Sequence, residues 1–292
     1  MKLSLIIATY NQPEALSKVL AGVSLQKSRP DEILIADDGS DESTQVLIDR
    51  WQQEALAPVQ HLWQSDNRFR KTTILNKAVA AATGDYLVFL DGDCVPHRLF
   101  MADHRALAER GFWVQGRRCF VQEPFVADFV PGKTLLWWWA LRGRVSRPHK
   151  SFRLPFSLIF RNQKQRGILG CNMAYWRDDV VAVNGFDESY LGRGMGADSD
   201  LGSRLYYLGR WRKFVYDRAL VYHLDHRIMP RPHFAQNRAR LLEVIRTGKT
   251  RCERGLDQYL PASRFFVPKC PDKISIGGTK IPLAGKPPLA ER

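Results

Sequence analysis

The chain alternates short, almost wholly apolar runs with longer segments whose apolar residues recur every three or four positions. Leu3–Ala8 is a continuous apolar run, the pattern of a strand buried on both faces. Pro13–Leu25 follows, with Leu16, Val19, Leu20 and Val23 on one helical stripe. The unit then repeats, with strands at Glu32–Ala36 and Val59–Trp63, helices at Thr44–Trp51 and Thr72–Ala82, and a fourth strand at Tyr86–Leu90. This alternation predicts an α/β fold, a mostly parallel sheet flanked by helices. Past Asp93 the pattern is looser. It predicts a helix over Pro96–Arg110, a strand over Trp113–Val121, a loop-and-helix region over Cys171–Leu208, a strand over Phe214–His223 and a helix over 236–250. From about Gly255 onward Pro, Gly and Lys dominate, so a poorly ordered basic tail is expected.

Polar and acidic residues follow the strands three times: Thr9-Tyr10-Asn11, Asp37-Asp38 and Asp91-Gly92-Asp93. Ligands of open α/β sheets bind outside the carboxyl ends of the strands, so this is where a nucleotide pocket is expected. Neither GxGxxG nor GxxxxGK[ST] follows the first strand, so the phosphates must be held some other way. Asp91 and Asp93, at i and i+2 beyond a buried strand, suit a hard divalent cation that also meets a diphosphate. Mg²⁺ and Mn²⁺ prefer oxygen ligands of this kind. A simple polar turn can have the same composition, and the context decides: VFLDGD directly follows TGDYL.

SLIIATYNQPEAL, EILIADDGSDEST and TGDYLVFLDGDC, in that order and spacing, resemble the family 2 glycosyltransferases of the GT-A fold. A later block, GCNMAYWRDDVVAVNGFDESYLGRGMGADSDLGSRLYYLG, continuing to LVYHLDH, resembles the acceptor side of β-galactosyltransferase and chondroitin-polymerase-type enzymes. The blocks span roughly residues 1–226. The resemblance implies a metal-dependent inverting enzyme that moves a sugar from a nucleotide-diphosphate donor, by family habit a UDP-sugar, to an acceptor hydroxyl. It implies a GT-A domain over 1–235, with 1–95 binding the nucleotide-sugar and 96–235 the acceptor, and a helix plus basic tail over 236–292. Asp38 would bind uridine or its ribose with Asp37 close by, Thr9 and Tyr10 would wall the base pocket, and Asp91, beside Gly92, would contact the donor sugar or ribose. Arg70, Lys71 and Asn76 fall where this family places polar donor contacts. Asp93 would ligate the metal, Mn²⁺ or Mg²⁺, and His223 would complete the site, with His226 as the substitute if the register slips. Relatives carry a Glu-Asp pair before a helix containing Arg-Leu. Aligned from Arg204-Leu205, Asp198 takes the position of the catalytic base and Ala197 replaces the Glu, with Asp200 as the rival. The same carboxylate could simply cap the following helix.

The formal charge of +14 is concentrated. Residues 131–170 hold nine Lys/Arg and no Asp/Glu, and residues 236–292 hold twelve Lys/Arg against five Asp/Glu. Charge so placed implies an anionic partner. Nucleic acid is disfavoured, because no RRM, KH or zinc-finger pattern is present and the charge lies outside the motif-bearing segments. Trp137-Trp138-Trp139, with Lys133, Arg142 and Arg144, suits a membrane interface, although such rings also pack in cores or line sugar clefts. Five cysteines without CxxC pairs imply neither a disulfide framework nor a zinc site, and a reducing cytoplasm. The expectation is a cytoplasmic enzyme, peripheral on the inner face of the membrane, with a glycan or glycolipid acceptor such as lipopolysaccharide core or capsule. A lipid-phosphate acceptor, or a non-catalytic nucleotide- or glycan-binding member of the family, are the alternatives.

Overall fold

A computed structural model describes residues 1–261 except 151, 154–157, 164, 166, 193–195 and 228–229, together with two short strands at Lys273–Ile276 and Thr279–Pro282. Among the described residues, eight strands form the main sheet, in the order β3-β2-β1-β4-β10-β6-β11-β9. They are β1 (Leu3–Thr9), β2 (Glu32–Asp37), β3 (Val59–Trp63), β4 (Tyr86–Asp91), β6 (Phe112–Gln115), β9 (Ile159–Asn162), β10 (Asn172–Trp176) and β11 (Trp211–Val215). The first four run parallel, and β10 joins β4 antiparallel. A second sheet, β5-β12-β7-β8, comprises β5 (Cys94–Pro96), β7 (Arg118–Val121), β8 (Val145–Ser146) and β12 (Val221–Leu224).

Side chains alternate across a strand, and β1 shows what that does here. Leu3, Leu5 and Ile7 enter one core with Leu16, Val19 and Leu20 of helix α1 (Pro13–Ser24). Ile6, between them, enters the other core with Ile74, Ala78 and Val79 of helix α3 (Lys71–Ala81). A strand feeding two cores is almost wholly apolar, and the one polar side chain inside this run, Ser4, is buried with its hydroxyl bonded to Glu32.

From β1 the chain builds outward through β2 and β3, then returns to place β4 on the other side of β1. The carboxyl ends of β1, β2 and β4 therefore share one edge, with Thr9 opposite Asp37 and Ala8 opposite Asp91. A strand order that reverses in this way opens a crevice for a ligand.

The looser half of the sequence folds differently from its pattern. Trp113–Val121 is two strands in different sheets, broken at Gly116, where the Asn172 side-chain amide presses on the backbone. Phe214–His223 likewise divides into β11 and β12 at a turn where Ala219 has φ of 49°. The helix expected over Pro96–Arg110 is confined to Phe100–Leu107, α4, because Cys94–Pro96 pairs as β5. Asn172–Trp176, expected within a loop-and-helix region, is the buried strand β10. The last long helix, α8, covers Phe234–Thr247. Leu256 and Leu260 are buried in the second core, so the packed body continues past Gly255. The rest of the expected basic tail, including Cys270, lies outside the described residues, apart from the paired strands Lys273–Ile276 and Thr279–Pro282.

Candidate active site

The loops after β1, β2 and β4 surround a cavity of about 110 Å³ lined by Thr9, Tyr10, Asp38, Lys71, Asp91, Gly92, Asp93 and His226. Asp38 is buried and anchored, accepting from Gln64 Nε2 at 2.6 Å and from the Arg70 backbone N–H at 2.8 Å. Burial raises its carboxyl above the ordinary aspartate value, and the Gln64 and Arg70 contacts only partly offset this. Asp37 is also buried. It accepts the Ser40 backbone N–H at 2.8 Å and meets His61 Nε2 at 3.1 Å, so its carboxylate shapes the loop from behind the pocket. The loop can close because Gly39 has φ of 98° and no Cβ, which would stand 2.6 Å from the Asp66 backbone. Tyr10 reaches across the opening to Asp66 at 3.1 Å. Thr9 Oγ1 is buried and has no hydrogen-bond partner among the described residues. The Gly92 N–H is spent on Ala8 O at 2.7 Å.

A second cavity, of about 880 Å³, adjoins the first. Phe69, Lys71, Asp91, Asp93 and His226 line both. Lys71 Nζ lies 2.5 Å from Asp91 Oδ1, a contact that holds the ammonium charged despite its burial. Only the larger cavity reaches Asp198, near the start of helix α7 (Ala197–Tyr207). Burial raises the Asp198 carboxyl, opposed by Lys71 and reinforced by Asp91. Gly170 donates its backbone N–H to Asp198, and a Cβ there would lie 2.3 Å from Asp198 Oδ2.

Asp93 gathers nitrogen ligands from far along the chain. The antiparallel pairing of β12 with β5 sets His223 opposite Cys94, and the Leu224 N–H bonds Asp93 O at 2.8 Å. His223 Nε2 then lies 3.5 Å and His226 Nε2 3.2 Å from Asp93 Oδ2, while the Cys94 thiol donates to Asp93 Oδ1 at 3.1 Å. Burial alone would raise the Asp93 carboxyl, but His226, His223 and the thiol hold it well below the usual carboxylate range. The hydrogen bond to Asp93 lifts His226 to about 8, whereas burial pushes His223 down. Ligand atoms of Asp93, Cys94 and His223 lie within 4.8 Å of one another. Burial keeps the Cys94 thiol protonated, so the donor set is one carboxylate and imidazole, which fits a divalent ion such as Mn²⁺.

Two expected residues stand elsewhere. Asn76 is fully buried away from both cavities, bonded to the Phe186 N–H and C=O and to Glu188, so it braces the loop after the helix Arg177–Ala182 and makes no wall of the pocket. The Arg70 guanidinium turns to Ser65 O, and it is the Arg70 backbone that meets the site. Asp200, the rival to Asp198, is buried in an ion pair with Arg204 at 2.5 Å and reaches neither cavity. Sequence reading missed Gln64, which binds Asp38, and Arg118, which lines the larger cavity from β7. No motif marks either residue.

The profile of glycosyl transferase family 2 matches residues 4–171, more than half of the chain. The chain belongs to this family. A second profile, the N-terminal domain of galactosyltransferase, matches residues 150–227, the segment that carries Asp198 and His223. Chondroitin synthase of Escherichia coli is 27% identical over 242 residues, 76% of this chain and 34% of that protein. Hyaluronan synthase of Pasteurella multocida is 26% identical over 76% of this chain and 24% of its own length. This glycosyltransferase thus spans about a third or less of these relatives. Among solved structures, GalNAc-T7 with UDP, GalNAc and Mn²⁺ superposes with a TM-score of 0.61 at 16% identity, over 83% of this chain and 48% of that one. A mannosyltransferase of Pyrobaculum calidifontis with GDP-Man and Mn²⁺ gives 0.52 at 18% identity, over 82% and 61%. The fold is the expected GT-A fold.

The helix bearing the tryptophans, α5 (Leu136–Leu141), buries Trp139 and exposes Trp137, Trp138 and Leu141, with Arg142 stacked 4.3 Å over Trp138. Among the described residues no helix is long and apolar enough to cross a membrane.

Proposed function

We propose that this glycosyltransferase is a metal-dependent inverting enzyme that transfers a sugar from a nucleotide-diphosphate donor, a UDP-sugar, to a glycan hydroxyl. The observation that carries the proposal is the placement of Asp198 in the larger cavity, beside the Lys71–Asp91 pair where the two cavities meet. The nucleotide occupies the smaller cavity, with Asp38 and Thr9 at its base and Tyr10 as its wall. Asp93 with His223 and His226 holds Mn²⁺ or Mg²⁺, which when bound supplies positive charge to the departing diphosphate. Fold neighbours solved in complex with Mn²⁺ and UDP or GDP-Man support that assignment.

Asp198 accepts the proton of the acceptor hydroxyl as that oxygen attacks the anomeric carbon. The bond from that carbon to the diphosphate oxygen breaks on the opposite face, so one displacement inverts the centre. A carboxyl raised by burial is a stronger base than a solvated one, and Lys71 opposes that rise. Relatives named for chondroitin and hyaluronan synthesis support a polysaccharide acceptor, here a surface glycan such as lipopolysaccharide core or capsule. The exposed Trp137 and Trp138 within a basic segment support work at an anionic membrane surface on the cytoplasmic side. Asp198→Asn tests the assignment: transfer is lost while calorimetric UDP binding with Mn²⁺ persists. Transfer at the parent rate would place the base elsewhere.

A further inference from the structure

The larger cavity is lined by four Lys/Arg and four Asp side chains, and its three arginines have no part in the reaction as described. Its acids and bases are largely matched near the centre: Lys71 pairs with Asp91, and His226 with Asp93. Asp225, on the rim, accepts the His226 backbone N–H. Among the described residues three arginines in the same cavity make no ion pair: Arg118 on the inner wall, in the field of Asp91 and Asp198, and Arg231 and Arg238 at the mouth, before and on α8. Arg118 is largely enclosed. Among the described residues its one hydrogen bond is a 3.5 Å contact from Nη1 to the Cys171 sulfur, its Cζ lies 5.0 Å from the Phe120 ring centroid, and its buried Nε has no partner. An enclosed guanidinium with unused donors is costly unless a ligand supplies the acceptor atoms. None of the three arginines lines the smaller cavity, where Asp38 and Thr9 sit.

We propose that the acceptor arm of the cleft is an oxyanion receptor, and that the acceptor saccharide carries a carboxylate or phosphate close to the hydroxyl that is glycosylated. Arg118 takes the anion near Asp198, in the planar two-point manner guanidinium offers to carboxylate and phosphate. Arg231 and Arg238 draw the charged chain to the mouth. The same charge raises the cost of a neutral acceptor, which leaves the Arg118 donors unmatched. The inference deepens the transferase reading and rests on it.

The test is calorimetric binding to the full chain, with UDP and Mn²⁺ saturating so that the donor cavity is filled. The probes are matched pairs: a glucuronate-terminated disaccharide against its carboxyl-reduced twin, and a hexose phosphate-terminated disaccharide against its dephosphorylated twin. At least one charged probe is expected to bind about tenfold or more tightly than its neutral twin, the worth of one charged hydrogen bond. Arg231→Ala/Arg238→Ala, at exposed positions, should reduce that preference and its salt dependence. Arg118→Met should remove it, and Arg118→Lys should restore only part. The pair that shows the preference identifies the anion as carboxylate or phosphate. Equal binding of both twins in both pairs, or a preference unchanged in Arg118→Met, overturns the proposal. Failure of UDP to bind in the first step defeats the transferase reading instead, which keeps the two failures apart.

Discussion

Lys71 Nζ and Asp91 Oδ1, 2.5 Å apart, form an ion pair on the wall common to the two cavities, and the same ammonium opposes the burial that raises Asp198. Lys71→Met leaves Asp91 without its partner and removes the charge that restrains the Asp198 carboxyl. Asp198 acts as a base only when ionised, so activity falls as pH drops through its value. The Lys71→Met acid limb is therefore expected at higher pH than that of the parent, with a lower plateau. A pH–rate profile of both proteins checks this, and an unmoved limb would separate Lys71 from the base.

Asp93→Ala is expected to abolish the metal-dependent part of nucleotide binding, because it removes the carboxylate on which both imidazoles converge. His223→Ala and His226→Ala should each weaken Mn²⁺ binding by about 10- to 100-fold, the range typical for groups in and around a metal site. Titration of Mn²⁺ by calorimetry with UDP present gives the number directly. Unchanged Mn²⁺ affinity in Asp93→Ala would remove this cluster from consideration.

Gly170→Ala puts a methyl group where the Asp198 carboxylate now lies, 2.3 Å from Oδ2. The carboxylate must turn away, so kcat is expected to fall by at least tenfold, while circular dichroism and UDP affinity stay close to the parent.

Asp198 and Asp200 sit two residues apart and should respond oppositely to removal of charge. Asp200→Asn strands the buried Arg204 guanidinium and is expected to cost about 3–5 kcal/mol of stability. Asp198→Asn relieves a buried carboxylate and should leave the melting temperature close to the parent or raise it. Thermal unfolding of the two variants side by side distinguishes the structural carboxylate from the chemical one.

Trp137→Ala/Trp138→Ala is expected to reduce co-sedimentation with vesicles containing phosphatidylglycerol, with little change in transfer to a soluble acceptor. Equal sedimentation of variant and parent would count against the membrane reading.

Most of the parallel half of the fold was legible because its central strands feed two cores, and so leave a largely apolar run ending in the polar residue that faces the crevice. β1, β2 and β4 are all read this way. The second half was not, because its strands are short and change sheet across brief connections at Gly116 and Ala219 that the run of apolar residues does not mark. Asp198 was separable from Asp200 only by resemblance in the sequence; the Arg204 ion pair gives the physical reason. Asn76 looked like a pocket residue from its position on α3, but helical spacing points its amide at the Phe186 backbone. Gln64 and Arg118 were invisible, since each depends on a partner brought near by the sheet and not by sequence distance.

The common wall has a thermodynamic consequence. Because Phe69, Lys71, Asp91, Asp93 and His226 face both cavities, a ligand filling one changes the surroundings met by a ligand entering the other. Whatever factor the donor adds to acceptor affinity through these five side chains, the acceptor must return to donor affinity in equal measure. Order of addition can then be a property of rates alone, while the free energy of the ternary complex stays the same by either route.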